Sequence, residues 1–375
     1  MIHGFRPRSM PVRSASSSST SSSSFRRLGR GVASLALAGA VLVSVAACGG
    51  TTGEETSTGA EGGDSGLPLV FGAFATPLEE PWDGAIHAAL ESAAEDGLIE
   101  YQHVDNLATA DEMESGLRDI IANQEPDIII GDAFAAEDAV RAVAADFPDI
   151  AFAFGSGGEE QAPNFSVFDN WMQDPAYLAG MTAGGLTESG TIGVVAAMPI
   201  PEVNRIVNAF IAGAQETNPS ATVTVSFINS FFDPATAKQA AEAAIAGGAD
   251  VLFAERAGVI AAAEENGLPV FGMMVDQQAE APEHVVSSLL WDMRPTVEAI
   301  VESVEDGSYE AANLGEFSFM INGGSSLAPF NTETAFEVPA DLISSVEARQ
   351  AEILAGEFET PVDEEAPAGS TTVGE

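Results

Sequence analysis

Short apolar runs recur along this chain at intervals wide enough to hold a helix between each pair. Asp127-Ile128-Ile129-Ile130-Gly131 is the plainest: its apolar residues leave no polar face, as in a strand covered on both sides of a parallel sheet. Leu69 to Phe74, Ile150 to Phe154, Phe165 to Phe168, Thr191 to Val195, Thr222 to Ile228, Asp250 to Phe253 and Pro269 to Gly272 read the same way. Between them lie helical patterns over Trp82 to Asp96, Asp111 to Asn123, Ala136 to Asp146, Ala176 to Leu186, Val203 to Glu216, Pro234 to Ala246 and Pro295 to Asp306. Strands alternating with helices dictate an α/β class. The series restarts at Thr191, so the pattern predicts two Rossmann-like lobes of about 100 residues each, with parallel sheets and a cleft between them.

Charge narrows the function. The chain has 57 Asp and Glu against 13 Lys and Arg, and six of those bases lie within the first 30 residues. The body after residue 47 is left with seven bases against all 57 acids. Such a surface repels phosphate backbones and anionic headgroups, which excludes nucleic acid as a partner. With 46% hydrophobic residues and 21 Phe it is nevertheless too apolar for an acidic disordered tail. Lys238 is the only lysine, which leaves little scope for Schiff-base chemistry or for a lysine grip on phosphate.

The ends differ from the body. An arginine-rich start, a serine run from Ser14 to Ser24 and an apolar stretch from Val32 to Ala47 have the proportions of a signal peptide, too short to span a bilayer. The stretch closes on Val45-Ala46-Ala47-Cys48-Gly49-Gly50, and Cys48 is the sole cysteine. That pattern resembles the bacterial lipobox, which implies cleavage before Cys48 and its acylation as a membrane anchor. Residues 48–66, rich in Gly, Ser, Thr and acids, read as a flexible tether, and 361–375 as a disordered acidic tail.

Signals of catalysis are poor. His3, His87, His103 and His284 are scattered, with no metal-ligand spacing. No nucleophile elbow, P-loop or dinucleotide fingerprint is present, and Gly323-Gly324-Ser325-Ser326 reads as a turn. The expectation is therefore a non-enzyme without cofactor or metal. Ligands of open α/β sheets sit beyond the carboxyl ends of the strands. The residues found there are Phe74, Trp82, Asp132, Phe134 and Phe154 in the first series, and Met198, Phe231, Phe232, Glu255 and Asp276 in the second, with Trp171 and Trp291 near the crossovers. Aromatic faces with a few carboxylates suit a planar ring bearing N–H donors, or a sugar stacked through its C–H face.

Several segments together resemble the basic membrane protein family of ABC-transporter substrate-binding lipoproteins. They are Asp127 to Gly131, Pro175-Ala176-Tyr177-Leu178-Ala179-Gly180, Met198 to Arg205 with Asn208-Ala209-Phe210, Phe232-Asp233-Pro234, Gly247 to Val251 and Gly272 to Gln277. The resemblance implies a type I periplasmic-binding-protein fold: lobe 1 from 67–168 plus 285–360, lobe 2 from 169–284, and a hinge between them. It implies a monomeric receptor on the extracytoplasmic face of the cell membrane, passing a purine base or nucleoside to a permease and its ATPase. Trp82 and Asp83 in Thr76 to Asp83 correspond to the family's stacking ring and polar partner. Met274 and Trp291 stand where nucleoside binders carry an Asp and a Lys for the ribose, which turns the expectation toward a free base. A monosaccharide or polyol receptor, or a surface sensor without transport, is the alternative.

Overall fold

The apolar runs become parallel strands. The structure, a computed structural model, describes residues 66–132, 136–155 and 157–374. Cys48, the leader and most of the tether lie outside the described residues, as does Phe134.

The first sheet is built from β1 (Leu69–Ala73), α1 (Pro81–Glu95), β2 (Glu100–Val104), α2 (Ala110–Gln124), β3 (Ile128–Asp132), α3 (Glu137–Asp146), β4 (Ala151–Gly155) and β5 (Phe165–Phe168). Its order is β2-β1-β3-β4-β5, all parallel. The chain then enters α4 (Gln173–Leu186), β6 (Thr191–Ala196), α5 (Pro201–Thr217), β7 (Thr222–Phe227), α6 (Pro234–Ala246), β8 (Val251–Ala254), α7 (Val259–Asn266), β9 (Val270–Gly272) and β10 (Val285–Trp291). After α8 (Arg294–Glu305) follow two short 3-10 turns, β11 (Ser325–Leu327), α9 (Ala340–Leu354) and β12 (Thr371–Thr372). The second sheet runs β11-β10-β9-β8-β6-β7-β12, with only the β10–β11 pair antiparallel.

Helix starts follow local chemistry. The Glu80 carboxylate accepts from Trp82 N and Asp83 N, and Pro81 needs no partner at the first position. Thr109 and Glu112 form a reciprocal capping box on α2. Helix α4 is buried from Gln173 through Gly184 and crosses α5 at backbone distance, because glycines face it. A Cβ on Gly213 would sit 2.0 Å from the Tyr177 carbonyl oxygen, and one on Gly180 2.1 Å from that of Phe210.

Two boundaries differ from expectation. Strand β10 pairs with β9, so the chain leaves the second lobe after Trp291 rather than at 284. Only α8 and the residues up to about Asn313 return to the first lobe, where α8 packs on α1 and Asn313 bridges Val167. Strand β11 and helix α9 belong to the second lobe, α9 lying on α4. The lobes are thus joined by three crossings, after Phe168, Trp291 and Asn313. The expected disordered tail is laid down instead. Asn208 Nδ2 donates to the carbonyls of Asp363 and Glu365 at 2.8 Å, Asn204 Nδ2 to that of Glu364, and β12 adds to the edge of β7. Side-chain amides on α5 and a free strand edge supply partners that composition does not reveal.

Candidate functional site

Carboxyl ends of the two sheets meet at an aromatic contact. Trp82, at the start of α1, lies 5.0 Å from Trp291 at the end of β10, measured between ring centroids. It also stacks on Phe168 at 5.8 Å with only 11° between the planes. Space for the indole exists because position 155 is glycine; a Cβ there would meet Trp82 at 1.8 Å. Trp291 Nε1 donates to Ser318 Oγ at 3.0 Å, whereas Trp82 Nε1 is buried without a partner.

Polar groups beside these rings are left incomplete. Asp83 Oδ2 accepts from Thr76 N and Thr76 Oγ1, but Asp83 Oδ1 is buried and unpartnered, as is Asn170 Oδ1 on the first crossing. Burial, then the neighbouring Asp132 at the end of β3, pushes the Asp83 carboxyl well above the usual carboxylate range. Buried polar atoms are almost always paired, so these three make the aromatic contact a candidate place for donors and acceptors from outside the chain.

Beneath the rings the lobes are pinned by charge. Arg256 gives Nε and Nη2 to Glu255 at 2.8 and 2.6 Å, and Nη1 reaches Glu80 across the cleft at 3.4 Å. The carboxylate that caps α1 therefore also receives the second lobe's arginine. A second fully buried arginine, Arg205, pairs with Asp169 on the first crossing and with Glu364 of the tail, its guanidinium 4.0 Å from the Trp171 ring. Acids outnumber bases here. Glu202, buried near Asp169, Arg205, Arg256 and Glu255, is pushed up to about 8, by burial first and then by Asp169.

The sign of that shift gives a pH prediction. A carboxyl whose folded pKa exceeds its ordinary value contributes stability at low pH and loses it as pH rises toward about 8. Glu202→Gln keeps the neutral form. It is expected to match the parent near pH 4, below the ordinary carboxyl value of 4.5, to draw ahead as pH rises from there toward about 8, and to melt higher at pH 8.5 on the order of 5 °C. A constant difference across a calorimetric pH series would remove Glu202 as the titrating group.

The other expected residues divide. Asp132 and Met198 sit at strand ends by the cleft, Met198 half-buried. Phe74 is fully buried in the first lobe, edge-on to His87. Trp171 lies apart from the tryptophan pair, T-shaped to Phe319. Glu255 spends both oxygens on Arg256 and the Ala197 amide. Phe232 is 42% exposed on the rim, and Asp276 is exposed, accepting from the Gln278 amide. Sequence reasoning passed over Phe168, Gly155, Asn170, Glu80 and Arg256. Glu80 had a signal, an acid immediately before Pro81. Arg256 had its rarity, one of seven bases in the body.

A family model described as an ABC transporter substrate-binding protein, PnrA-like (Bmp), matches residues 78–316. Over 192 residues the chain is 38% identical to TsgA13 of Haloferax volcanii, named as a proposed ABC transporter glucose-binding protein. That match covers 51% of this chain and 49% of the relative, about half of its length. A Brucella abortus purine-binding protein is 28% identical over 262 residues, 69% of this chain and 72% of its own. Among solved structures, an ABC transporter solute-binding protein from Conexibacter woesei superposes with a TM-score of 0.63 at 24% identity, covering 79% of this chain and 99% of that one. The shared architecture is the type I periplasmic-binding-protein fold.

Proposed function

Because the chain belongs to the Bmp family of PnrA-like ABC transporter substrate-binding proteins, we propose that it is a lipid-anchored receptor that closes on a neutral, purine-like ring and hands it to a membrane permease. The carrying observation is the contact of Trp82, Trp291 and Phe168, ringed by the unpartnered Trp82 Nε1, Asp83 Oδ1 and Asn170 Oδ1. Flat faces take a flat ring, and the orphan atoms take its ring nitrogens and amino hydrogens.

Charge supports a neutral ligand. All seven bases of the body lie within 4.0 Å of a carboxylate, so no free guanidinium or ammonium waits for a phosphate. Nucleotides and sugar phosphates fit poorly. Met274 is buried and accepts from Trp291 N through its carbonyl, and by the resemblance it stands where nucleoside binders carry a ribose-gripping acid. That favours a free base over a nucleoside. The name of the Brucella relative agrees with this class. Anchoring through Cys48 rests on its place after Val45-Ala46-Ala47.

A second reading, an uncharged hexose, draws support from the Haloferax relative, because indole faces and carboxylates also hold sugars. Isothermal titration with nucleobases, nucleosides and hexoses separates the two. A nucleobase is expected to bind tightest, and Trp82→Ala or Trp291→Ala to weaken it tenfold or more, stacking being worth about 1–3 kcal/mol per base. Hexoses alone would transfer the site to sugar; full affinity in both variants would move it elsewhere.

A further inference from the structure

A cavity of about 550 Å³ opens on the hinge, away from the tryptophan pair. It lies within the range of small-molecule sites, about 300–1,000 Å³. The first crossing supplies Trp171, the start of α4 supplies Gln173 and Asp174, the short turns after Asn313 supply Phe319 and Ile321, and the end of α9 and the residues after it supply Ile353, Phe358 and Glu359. The wall from Phe319 onward lies beyond the stretch matched by the family model, residues 78–316.

We propose that this hinge cavity binds a small organic cation, an ammonium carried on an apolar or aromatic body. Trp171, Phe319 and Phe358 give it three aromatic walls, and Ile321, 52% exposed, extends the apolar surface to the mouth. Two carboxylates line it, Asp174 buried and Glu359 at the exposed rim, and no basic side chain does. Gln173 is 93% buried, and its amide oxygen has no hydrogen-bond partner. An unpaired acceptor in an apolar wall asks for a donor, and an N–H borne on an apolar body supplies one. The rings already hold cations from outside the cavity: Arg205 lies 4.0 Å from Trp171 and Arg349 3.8 Å from Phe358, and neither arginine lines the pocket. Anions meet two carboxylates there and no basic side chain on the lining. Neutral apolar bodies fill the rings but leave Glu359 and the amide oxygen unused.

Three probes of one shape test this on the intact protein: phenethylammonium, phenethyl alcohol and phenylacetate, compared by calorimetric titration. The ammonium is expected to bind at least tenfold tighter than the alcohol, and phenylacetate not to bind. Phe319→Ala and Glu359→Gln should each weaken the ammonium several-fold, in line with cation–π and partly screened charge contributions. Glu359 is exposed, so its variant keeps the test alive should Phe319→Ala fold poorly. Equal affinity for alcohol and ammonium, no binding of the ammonium, or binding indifferent to both substitutions overturns the proposal.

Discussion

Replacing Arg256 by methionine is expected to destabilise the protein by about 3–5 kcal/mol, the range found when one partner of a buried ion pair is removed. Its side chain is 4% exposed, and the partners it would abandon are hidden equally well, Glu255 at 0% and Glu80 at 3%. Both carboxylates would then face a low-dielectric interior with backbone amides but no counter-charge opposite. Glu80 already has its pKa raised by burial even with Arg256 nearby. The substitution also removes the bond that ties the second lobe to the residue capping α1, so Trp82 and Asp83 lose part of their frame. Denaturant unfolding of the variant measures the loss. Adding Glu255→Gln and Glu80→Gln should restore most of it, since neutral amides tolerate burial without a counter-ion. An unchanged midpoint in Arg256→Met would mean that the network contributes nothing net.

Gly213→Ala is expected to cost about 3 kcal/mol or more, at the upper end for overpacking. The added methyl would sit 2.0 Å from the Tyr177 carbonyl oxygen and 3.0 Å from Met181 N, so no rotamer relieves it and α4 and α5 must move apart. Gly180 and Gly184 impose the same limit from the other helix, at 2.1 and 2.3 Å. Gly190→Ala is the control. It has φ +75° but open space around it, so only left-handed backbone strain of about 1 kcal/mol is added. Equal melting temperatures for the two variants would show that the helix contact is loose.

Strands β3 and β4 were legible because burial on both faces writes itself as an unbroken apolar run. Edge strand β2, Glu-Tyr-Gln-His-Val, was not, because three of its five side chains face water and no pattern separates it from a loop. Strand β10 escaped for a different reason. Ser287 and Ser288 interrupt its apolar run, and their hydroxyls are satisfied by Ala328 O and Gln277 N, contacts distant in sequence. The aromatic site was half readable: Trp82 and Trp291 were placed beyond a strand end and near a crossover, whereas Phe168 looked like ordinary strand core. The bond from Arg256 to Glu80 spans 176 residues, and only the folded arrangement of the lobes brings those charges together.

The docked tail has a practical meaning for anyone handling the protein. Strand β7 pairs with β6 on its inner side, and its outer edge is covered by β12, with Val373 N reaching Phe227 O at 2.8 Å. The last residues are thus a self-supplied neighbour for a strand that would otherwise offer open backbone groups to another molecule. Shortening the chain after Phe358, or pulling its end away with a bulky fusion, would bare that strand. It would also strip Glu364 from Arg205, leaving that guanidinium to Asp169 alone.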